Sequence, residues 1–236
     1  MLPASPLKGD GLRVVEIDLG DCRQRDRYID FRTDFFGRHL GWNVTNGNGV
    51  DYGDIDEAST HFGLCGPGGA IVGCVRVTPP SHRRWAIDER PFSELVDRAL
   101  DPGYPRLQCA EISRLGVYPE FVRASDASGF TASRMLHRAA YQHSMRLGLR
   151  FWYVVAYGSL IDALCRFDYL PFKAISPFGL NGSGGTRIAC LDLELARASV
   201  RRRAPEFYDW NHIGLENLPG DGRTWGLSHP SDSRRF

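Results

Sequence analysis

Residues 107–117 read LQCAEISRLGV, an apolar run that carries one carboxylate, Glu111, and one guanidinium, Arg114. The run predicts a β-strand, in which successive side chains point to opposite faces. Glu111 and Ser113 then share one face, and Arg114 falls on the other unless the strand bends or splays. Charge inside a buried strand is costly. The stretch is therefore either a strand-end salt bridge or a functional site, and taken alone it leaves both readings open.

The segments on either side predict a mixed α/β order with an antiparallel hairpin in the middle. Before the charged strand we expect a strand at 12–19, a helix at 23–40, a loop at 43–56, a hairpin of two strands at 61–64 and 70–78, and a short helix at 91–100. After it we expect a helix at 131–147, a strand at 151–156, a helix at 160–167, and strands at 172–175 and 186–195.

Composition limits the class of protein. The 236 residues are 42% hydrophobic, which suffices for one filled α/β domain. We predict a loose N-terminus at 1–11, a single domain at 12–196, and a C-terminal extension of unknown role at 197–236, where the pattern decays into a surface wrap or disorder. The charges nearly balance, with 29 Lys+Arg against 28 Asp+Glu, so the net charge gives no indication of a nucleic-acid partner.

Several other classes of site have no support in the sequence. No run of about 20 apolar residues predicts a transmembrane segment, and six scattered cysteines lack the spacing of a zinc site. No Gly-rich phosphate loop joins a strand to a helix, which argues against a nucleotide fold. We expect no metal and no tightly bound cofactor, and reduced cysteines in apolar surroundings favour a cytoplasmic protein.

A set of spaced residues resembles the acyl-homoserine lactone (autoinducer) synthases, a branch of the GNAT-like N-acyltransferases. The family pattern Arg-x-x-x-Phe-x-x-x-x-x-Trp, a later aspartate, a Val-Arg step and a Glu-x-Ser-Arg signature are matched by Arg32, Phe36, Trp42, Asp56, Arg76, Glu111, Ser113 and Arg114. These matches extend over some eighty residues, and the resemblance as a whole covers about 12 to 195.

Two departures bear on the substrate. Gly53 stands where the family has a first aspartate, although Asp51 and Asp54 lie nearby. The C-terminal half is also similar to the long-chain N-acyl amino acid synthases and exosortase-associated acyltransferases. That second likeness rests on 136–144 (LHRAAYQHS), 147–149 (LGL), 172–177 (FKAISP) and the Asp56-x-x-Ser59-x-His61 pattern.

The resemblance implies a single-domain GNAT-like fold, a mixed central sheet flanked by helices. In that fold two neighbouring parallel strands splay apart, and here they would be 107–117 and 151–156. Their unpaired backbone groups would pair with a pantetheine arm, and amides near Arg114 to Gly116 would form an oxyanion hole.

The resemblance also implies roles for side chains. Glu111 would be the general base, acting through a water, or an electrostatic anchor for an ammonium group. Arg114 would fix the Glu111 carboxylate and line the acyl-carrier channel, and Arg76 would pair with an acidic group or serve a structural ion pair. The substrate-binding set would comprise a lid over an adenosyl sulfonium substrate and nearby polar groups, namely Arg32, Phe36, Trp42, Asp54, Asp56, Arg76 and Ser113.

The acyl chain would need an apolar tunnel. Its expected walls are Met135, Phe151, Tyr153, Leu160 and Leu164, each of which also suits simple core packing.

The implied reaction transfers a fatty acyl group from an acyl-carrier protein or acyl-CoA to the amine of S-adenosylmethionine, followed by lactonisation to a quorum-sensing signal. The acyl-carrier protein would be the protein partner. The alternatives are an N-acyl amino acid synthase with a different amine and a non-catalytic acyl-binding or regulatory relative.

Overall fold

One seven-stranded sheet organises the chain, as the resemblance implies. The structure, a computed structural model, describes residues 11–42, 49–81, 85–88, 105–175 and 185–215. The strands are β1 (Arg13–Glu16), β2 (Thr60–Cys65), β3 (Ile71–Thr78), β4 (Cys109–Val117), β5 (Phe151–Tyr157), β6 (Lys173–Ala174) and β7 (Thr186–Asp192). Their order is β1-β2-β3-β4-β5-β7-β6, and among these described strands β4 and β5 are the one parallel pair. The predicted hairpin is β2 and β3.

Helices flank this mixed sheet. They are α1 (Cys22–Arg32), α2 (Asp54–Glu57), α3 (Ala132–Arg146), α4 (Gly158–Phe167), α5 (Leu193–Arg203) and α6 (Pro205–His212). None of the described helices has the length and hydropathy needed to cross a membrane. The helix expected at 91–100 and the termini at 1–10 and 216–236 lie outside the described residues.

The first predicted helix forms as two joined parts. The Asp21 carboxylate accepts from the backbone N–H groups of Arg23 and Gln24 and so caps α1. The helix then continues as a π-helical segment, Thr33–His39, which the sequence did not predict. Gly41, with φ 67°, ends it as expected from the glycine stop.

Two local predictions were wrong. Residues 54–57 form α2 inside the predicted 43–56 loop, because Asp56 reaches back to the N–H of Gly53 and closes a helical turn. The last strand ends at Asp192 instead of Leu195, because the Asp192 carboxylate accepts from the N–H groups of Glu194 and Leu195 and starts α5.

The loss of regular secondary structure predicted from Arg197 onward is also wrong for residues 197–215, the part of that region that the structure describes. Residues 197–203 complete α5, so a boundary at 196 falls inside a helix. Phe207 and Trp210 of α6 are buried in the main core, and the Gln142 side-chain amide of α3 donates to the Asn211 carbonyl of α6. Within the described residues, α5 and α6 therefore pack as part of the main core.

The two faces of the sheet have different covers. One face carries the main core, where side chains of β2 to β5 pack against α3, α4, α5 and α6. The other face carries two separate apolar clusters. One consists of α1 and π-segment aromatics over β1 and β3, and the second surrounds Trp85 and Ile87 over β4, β5 and β7. The polar residues of β3 and β4 lie on this second face.

Gly116 permits the close approach of β4 to the π-helical segment. A Cβ at Gly116 would lie 2.9 Å from Cδ1 and 3.1 Å from Cζ of Phe35, which is fully packed. We expect Gly116→Ala to lower the free energy of unfolding by about 1–3 kcal/mol through overpacking. Gly37→Ala is the matched control, because nothing lies within 4 Å of its Cβ position. Urea unfolding that ranks the two variants equally would contradict this.

Candidate active site

The parallel pair β4 and β5 opens into a cleft. Register pairing runs from Cys109–Phe151 to Ile112–Val154 and stops there. Beyond that point β4 pairs with β3, through Ser113–Arg76 and Gly116–Cys74, and β5 pairs with β7. The predicted splay is thus present in the described strands, and it begins two residues after Glu111.

A β-bulge at Arg114 explains how Arg114 and Glu111 lie on the same face of β4, although a regular strand would place them on opposite faces. Arg76 pairs with Ser113, whereas Cys74, two residues earlier on β3, pairs with Gly116, three residues later on β4. Arg114 is the additional residue and has φ 53°, a left-handed conformation that is uncommon for a side-chain-bearing residue. The bulge turns Arg114 to the same side as Glu111 and Ser113.

Six charged side chains meet on this side and form what we call the charge chain. Carboxylates and guanidiniums alternate along it in the order Arg114, Asp51, Arg32, Asp56, Arg76 and Glu111. Arg114 and Arg32 each hold Asp51 with two hydrogen bonds of 2.8–3.1 Å. Bidentate contacts of this kind fix geometry as well as charge.

Asp56 is the central link of the charge chain. It accepts from Arg32 Nη1 at 2.6 Å and from Arg76 Nη1 at 2.8 Å. The Arg76 Nε also donates to Ser113 Oγ at 3.0 Å, and the Arg76 Nη2 lies 3.8 Å from Glu111 Oε1. Arg76 thus has the acidic partner that the sequence predicted, and its role toward a substrate stays a prediction.

Burial and charge oppose each other at the two aspartates. Burial would raise the pKa of Asp56, but the guanidiniums of Arg32 and Arg76 outweigh it and hold that pKa well below its ordinary value. Burial likewise would raise the pKa of Asp51, and hydrogen bonds and charge from Arg114 and Arg32 lower it. Both aspartates are therefore ionised at neutral pH.

Arg114 does not have the expected relation to Glu111. Its guanidinium holds Asp51 and lies 5.5 Å from the centre of the Phe36 ring, so Arg76 is the guanidinium beside Glu111. The prediction that Arg114 fixes the Glu111 carboxylate is corrected. The reason is the bulge, which displaces Arg114 toward the π-helical segment. Its place along the acyl channel stays a prediction.

Asp51, and not Asp54, is the second aspartate of the site. Asp54 is exposed at the first turn of α2, whereas Asp51 is buried and its N–H donates to Thr33 Oγ1 at 3.0 Å. The prediction of Asp54 as a substrate ligand thus receives no support from its position. Gly53 in the family's aspartate position donates its N–H to Asp56 Oδ2 at 2.9 Å.

The predicted lid residues occupy two depths. Arg32 and Phe36 are fully buried, so neither side chain reaches the surface of the protein. Trp42 is half-buried, packs 5.3 Å from Phe36, and donates its indole N–H to the Tyr157 hydroxyl at the free end of β5. Trp42 therefore spans the mouth of the splay. Tyr157 was missed by sequence reasoning, since an aromatic at a strand end gives no distinctive signal.

The five predicted acyl-tunnel walls do not lie together. Phe151 and Tyr153 belong to the cluster around Trp85, whereas Met135, Leu160 and Leu164 belong to the main core on the opposite face of the sheet. Alternation along β5 causes this separation, because Phe151 and Tyr153 point away from α3 and α4. A single tunnel lined by all five is therefore wrong.

His61 is a buried site neighbour that sequence analysis left without a role. Its Nε2 lies 2.8 Å from the Asp56 carbonyl, and its Nδ1 lies 2.9 Å from the Tyr28 hydroxyl. A carbonyl can only accept, so Nε2 carries the proton and the Tyr28 O–H donates to Nδ1. Burial lowers the pKa of His61 to about 4, which keeps it neutral.

This neutral histidine predicts a specific pH dependence of stability. The unfolded chain binds the His61 proton below about pH 6.5 and the folded chain only below about pH 4. Stability is full above pH 6.5 and falls between these values, by about 2 kcal/mol from pH 7.5 to pH 5 for this residue. His61→Gln should reduce that loss in urea unfolding at the two pH values. An equal loss in both proteins would contradict the assignment.

Comparisons with known proteins give no sequence match. No family model matches the chain, and no curated protein matches it either. Solved structures do match in fold, although sequence identity is low.

One similar structure is a CoA-dependent acyl-homoserine lactone synthase, BjaI, with SAM and isopentyl-CoA. It is 16% identical, with 89% of this chain and 92% of that chain covered and a TM-score of 0.63. TofI, in a ternary complex with an inhibitor and MTA, is 18% identical over 84% of this chain and 96% of its own, with a TM-score of 0.61.

A third similar structure is FeeM, an N-acyl amino acid synthase from uncultured soil microbes. It is 12% identical over 80% of this chain and 94% of its own, with a TM-score of 0.56. The fold of the chain thus has counterparts among solved structures. The chain has the GNAT-like fold that the acyl-homoserine lactone synthases share with an N-acyl amino acid synthase.

Proposed function

We propose that the protein is an N-acyltransferase that makes an acyl-homoserine lactone from an acyl thioester and S-adenosylmethionine. The observation that carries the proposal is the cleft between β4 and β5, with Glu111 at its closed end and the charge chain along its side. Similarity to a synthase structure that holds SAM and an acyl-CoA supports the same reading.

In the proposed first step, the substrate amine attacks the thioester carbonyl. Glu111 accepts the amine proton through a water, because its buried carboxylate lies at the closed end of the cleft. Backbone N–H groups on the open side of β4 near Arg114 to Gly116 stabilise the oxyanion, an effect typically worth about 3–4 kcal/mol. The C–N bond forms, the C–S bond breaks, and the thiol leaves.

In the proposed second step, the carboxylate of the acylated substrate attacks the carbon attached to the sulfonium. The C–O bond closes the lactone, and methylthioadenosine leaves with the electrons of the broken C–S bond. Trp42 at the mouth of the cleft offers an aromatic face to the sulfonium, an attraction of about 0.5–2 kcal/mol.

The acyl donor is an acyl-carrier protein in our proposal, with acyl-CoA as the alternative. Arginines near the ends of α3 and α5, Arg146 and Arg201 to Arg203, offer positive charge to an acidic carrier, whereas the predicted Arg150 is paired with Asp192 and Glu194. The sequence suggests Arg83 and Arg84 for the same role, and both lie outside the described residues. A cytoplasmic location is part of the proposal, and six free cysteines support it, since reduced thiols are typical of that compartment.

The second candidate is an N-acyl amino acid synthase. Gly53 in place of an aspartate favours a different amine, and so do half-buried Ser59 and buried His61, which contact the Ile55 and Asp56 carbonyls of α2. Similarity to FeeM gives this candidate further support.

One incubation distinguishes the candidates. The protein is supplied with acyl-carrier thioester or acyl-CoA, and with either S-adenosylmethionine or free amino acids, and products are identified by mass spectrometry. Methylthioadenosine together with an acyl-homoserine lactone is the expected result. N-acyl amino acids without methylthioadenosine would support the second candidate, and no acylated product would reject both.

A further inference from the structure

A short turn outside the charge chain holds one oxygen of Glu111. Residues Ala86–Asp88 form a 3₁₀ turn in which the Asp88 N–H donates to the Trp85 carbonyl at 3.0 Å. The Asp88 carboxylate accepts in return from the Trp85 N–H at 2.8 Å. Within this turn the Ile87 N–H donates to Glu111 Oε2 at 3.1 Å. The turn thus presents a backbone donor to the proposed base.

An ion pair clamps this turn to the start of β4. Arg106 donates to both oxygens of Asp88, at 3.0 Å from Nη1 and 2.6 Å from Nη2. Its guanidinium carbon lies 4.1 Å from the centre of the Trp85 ring, a stacking distance. Arg106 begins a 3₁₀ turn, Arg106–Gln108, that leads directly into β4. Both partners of the Ile87–Glu111 contact are therefore tied to one bidentate pair.

The turn is also seated by packing. Trp85 and Ile87 are almost fully buried, and the Trp85 indole N–H donates to the Pro79 carbonyl at 3.2 Å, just after β3. The Trp85 ring lies 5.8 Å from that of Tyr153, the register partner of Glu111 on β5. Buried aromatic anchors with a polar clamp at the surface make a rigid support, and support of this kind determines how accurately a reactive group is held.

We propose that Asp88 and Arg106 are positioning residues for Glu111, and that their ion pair keeps the Ile87 N–H on the Glu111 carboxylate. The inference rests on the proposed function for the role of Glu111 as base. A hydrogen bond to the ionised carboxylate favours that form, so its loss raises the pKa of the group and frees its rotation. Among the described residues, the polar side chains on the strands next to Glu111 include Arg76 and its register partner Thr78 from β3, and its register partner Tyr153 from β5.

The first experiment needs no catalytic activity. The side-chain carboxyl of Glu111 is titrated by ¹³C NMR in the full chain, with Glu111→Gln used to assign the signal. In Asp88→Asn we expect the midpoint to rise by about one pH unit, and in Arg106→Lys, which keeps charge but loses the planar fork, by less. Unchanged midpoints in both variants would overturn the proposal.

The control is Asp168→Asn. Asp168 accepts from Arg134 at 2.7 Å and forms a part-buried ion pair of similar length on the opposite face of the sheet. We expect Asp168→Asn to remove a comparable carboxylate charge from an ion pair and to leave the titration midpoint of Glu111 unchanged. A midpoint that moves as far in Asp168→Asn as in Asp88→Asn would mean a general field effect and would also overturn the proposal.

Kinetics supply the second readout. In Asp88→Asn we expect kcat to fall by between about tenfold and a hundredfold with KM nearly unchanged, and the acid limb of kcat/KM to move to higher pH. If no variant or parent acylates any amine, the proposed function fails while the NMR titration still decides the clamp. If activity is present and the limb stays fixed, the clamp fails alone.

Discussion

Glu111→Gln should reduce acyl transfer by a factor of about 10²–10⁴ in kcat, the usual contribution of a general base. The amide keeps the size of the carboxylate and can still accept from the Ile87 N–H, but it cannot take a proton from the amine. Product formation is followed under saturating donor and acceptor, together with the urea midpoint of each protein.

Glu120→Gln is the matched control for this substitution. Glu120 is an exposed glutamate nine residues along the chain, in the short turn after β4, and we expect its loss to leave kcat unchanged. Full activity of Glu111→Gln would remove the proposed base and favour a non-catalytic acyl-binding protein. A variant that binds acyl thioester normally but turns over slowly would support the base.

Asp56→Asn should lower the free energy of unfolding by about 3–5 kcal/mol, the usual cost of removing one partner from a buried ion pair. Asp56 is almost fully buried and is the only link of the charge chain that joins Arg32 to Arg76. An amide leaves both guanidiniums facing a neutral group away from water. Equilibrium urea unfolding at pH 7 measures the change.

Asp54→Asn is the control, because Asp54 is exposed two residues away in the same short helix, and we expect a change within about 0.5 kcal/mol. Acid adds a second test. The pKa of Asp56 is depressed in the fold, so its stabilisation is present above the ordinary aspartate pKa of 3.8 and is lost as pH falls below that value. Equal stability of the two variants at pH 7 would show that the charge chain is dispensable.

Much of the sheet could be predicted because its strands have strong local patterns. The aromatic and β-branched run at Phe151–Tyr157 and the Gly-Pro turn between β2 and β3 are signals that tertiary contacts did not override. The π-helical segment could not be predicted, since its residues also suit an ordinary helix. The C-terminal helices were missed because an arginine-rich helix with few apolar residues resembles a solvated tail.

The candidate site likewise has parts that could be predicted from the sequence and parts that could not. The resemblance to a family pattern located Arg32, Asp56, Arg76 and Glu111, and the structure brings these four side chains together. The resemblance could not choose between Asp51 and Asp54, because the choice depends on the path of the chain before α2. The acyl-tunnel prediction failed because it ignored the alternation of side chains along β5, which the sequence shows. It also needed to know which face of the sheet each helix covers, which the sequence does not show.

The charge chain has a consequence for how such a protein evolves. Three guanidiniums and three carboxylates balance only as a set, so a mutation at one link passes through an intermediate with an unmatched buried charge. Removing one partner from a buried ion pair usually costs about 3–5 kcal/mol, so each such intermediate would be markedly less stable than the starting protein. We therefore expect a viable replacement at one link to need a compensating change at its neighbour.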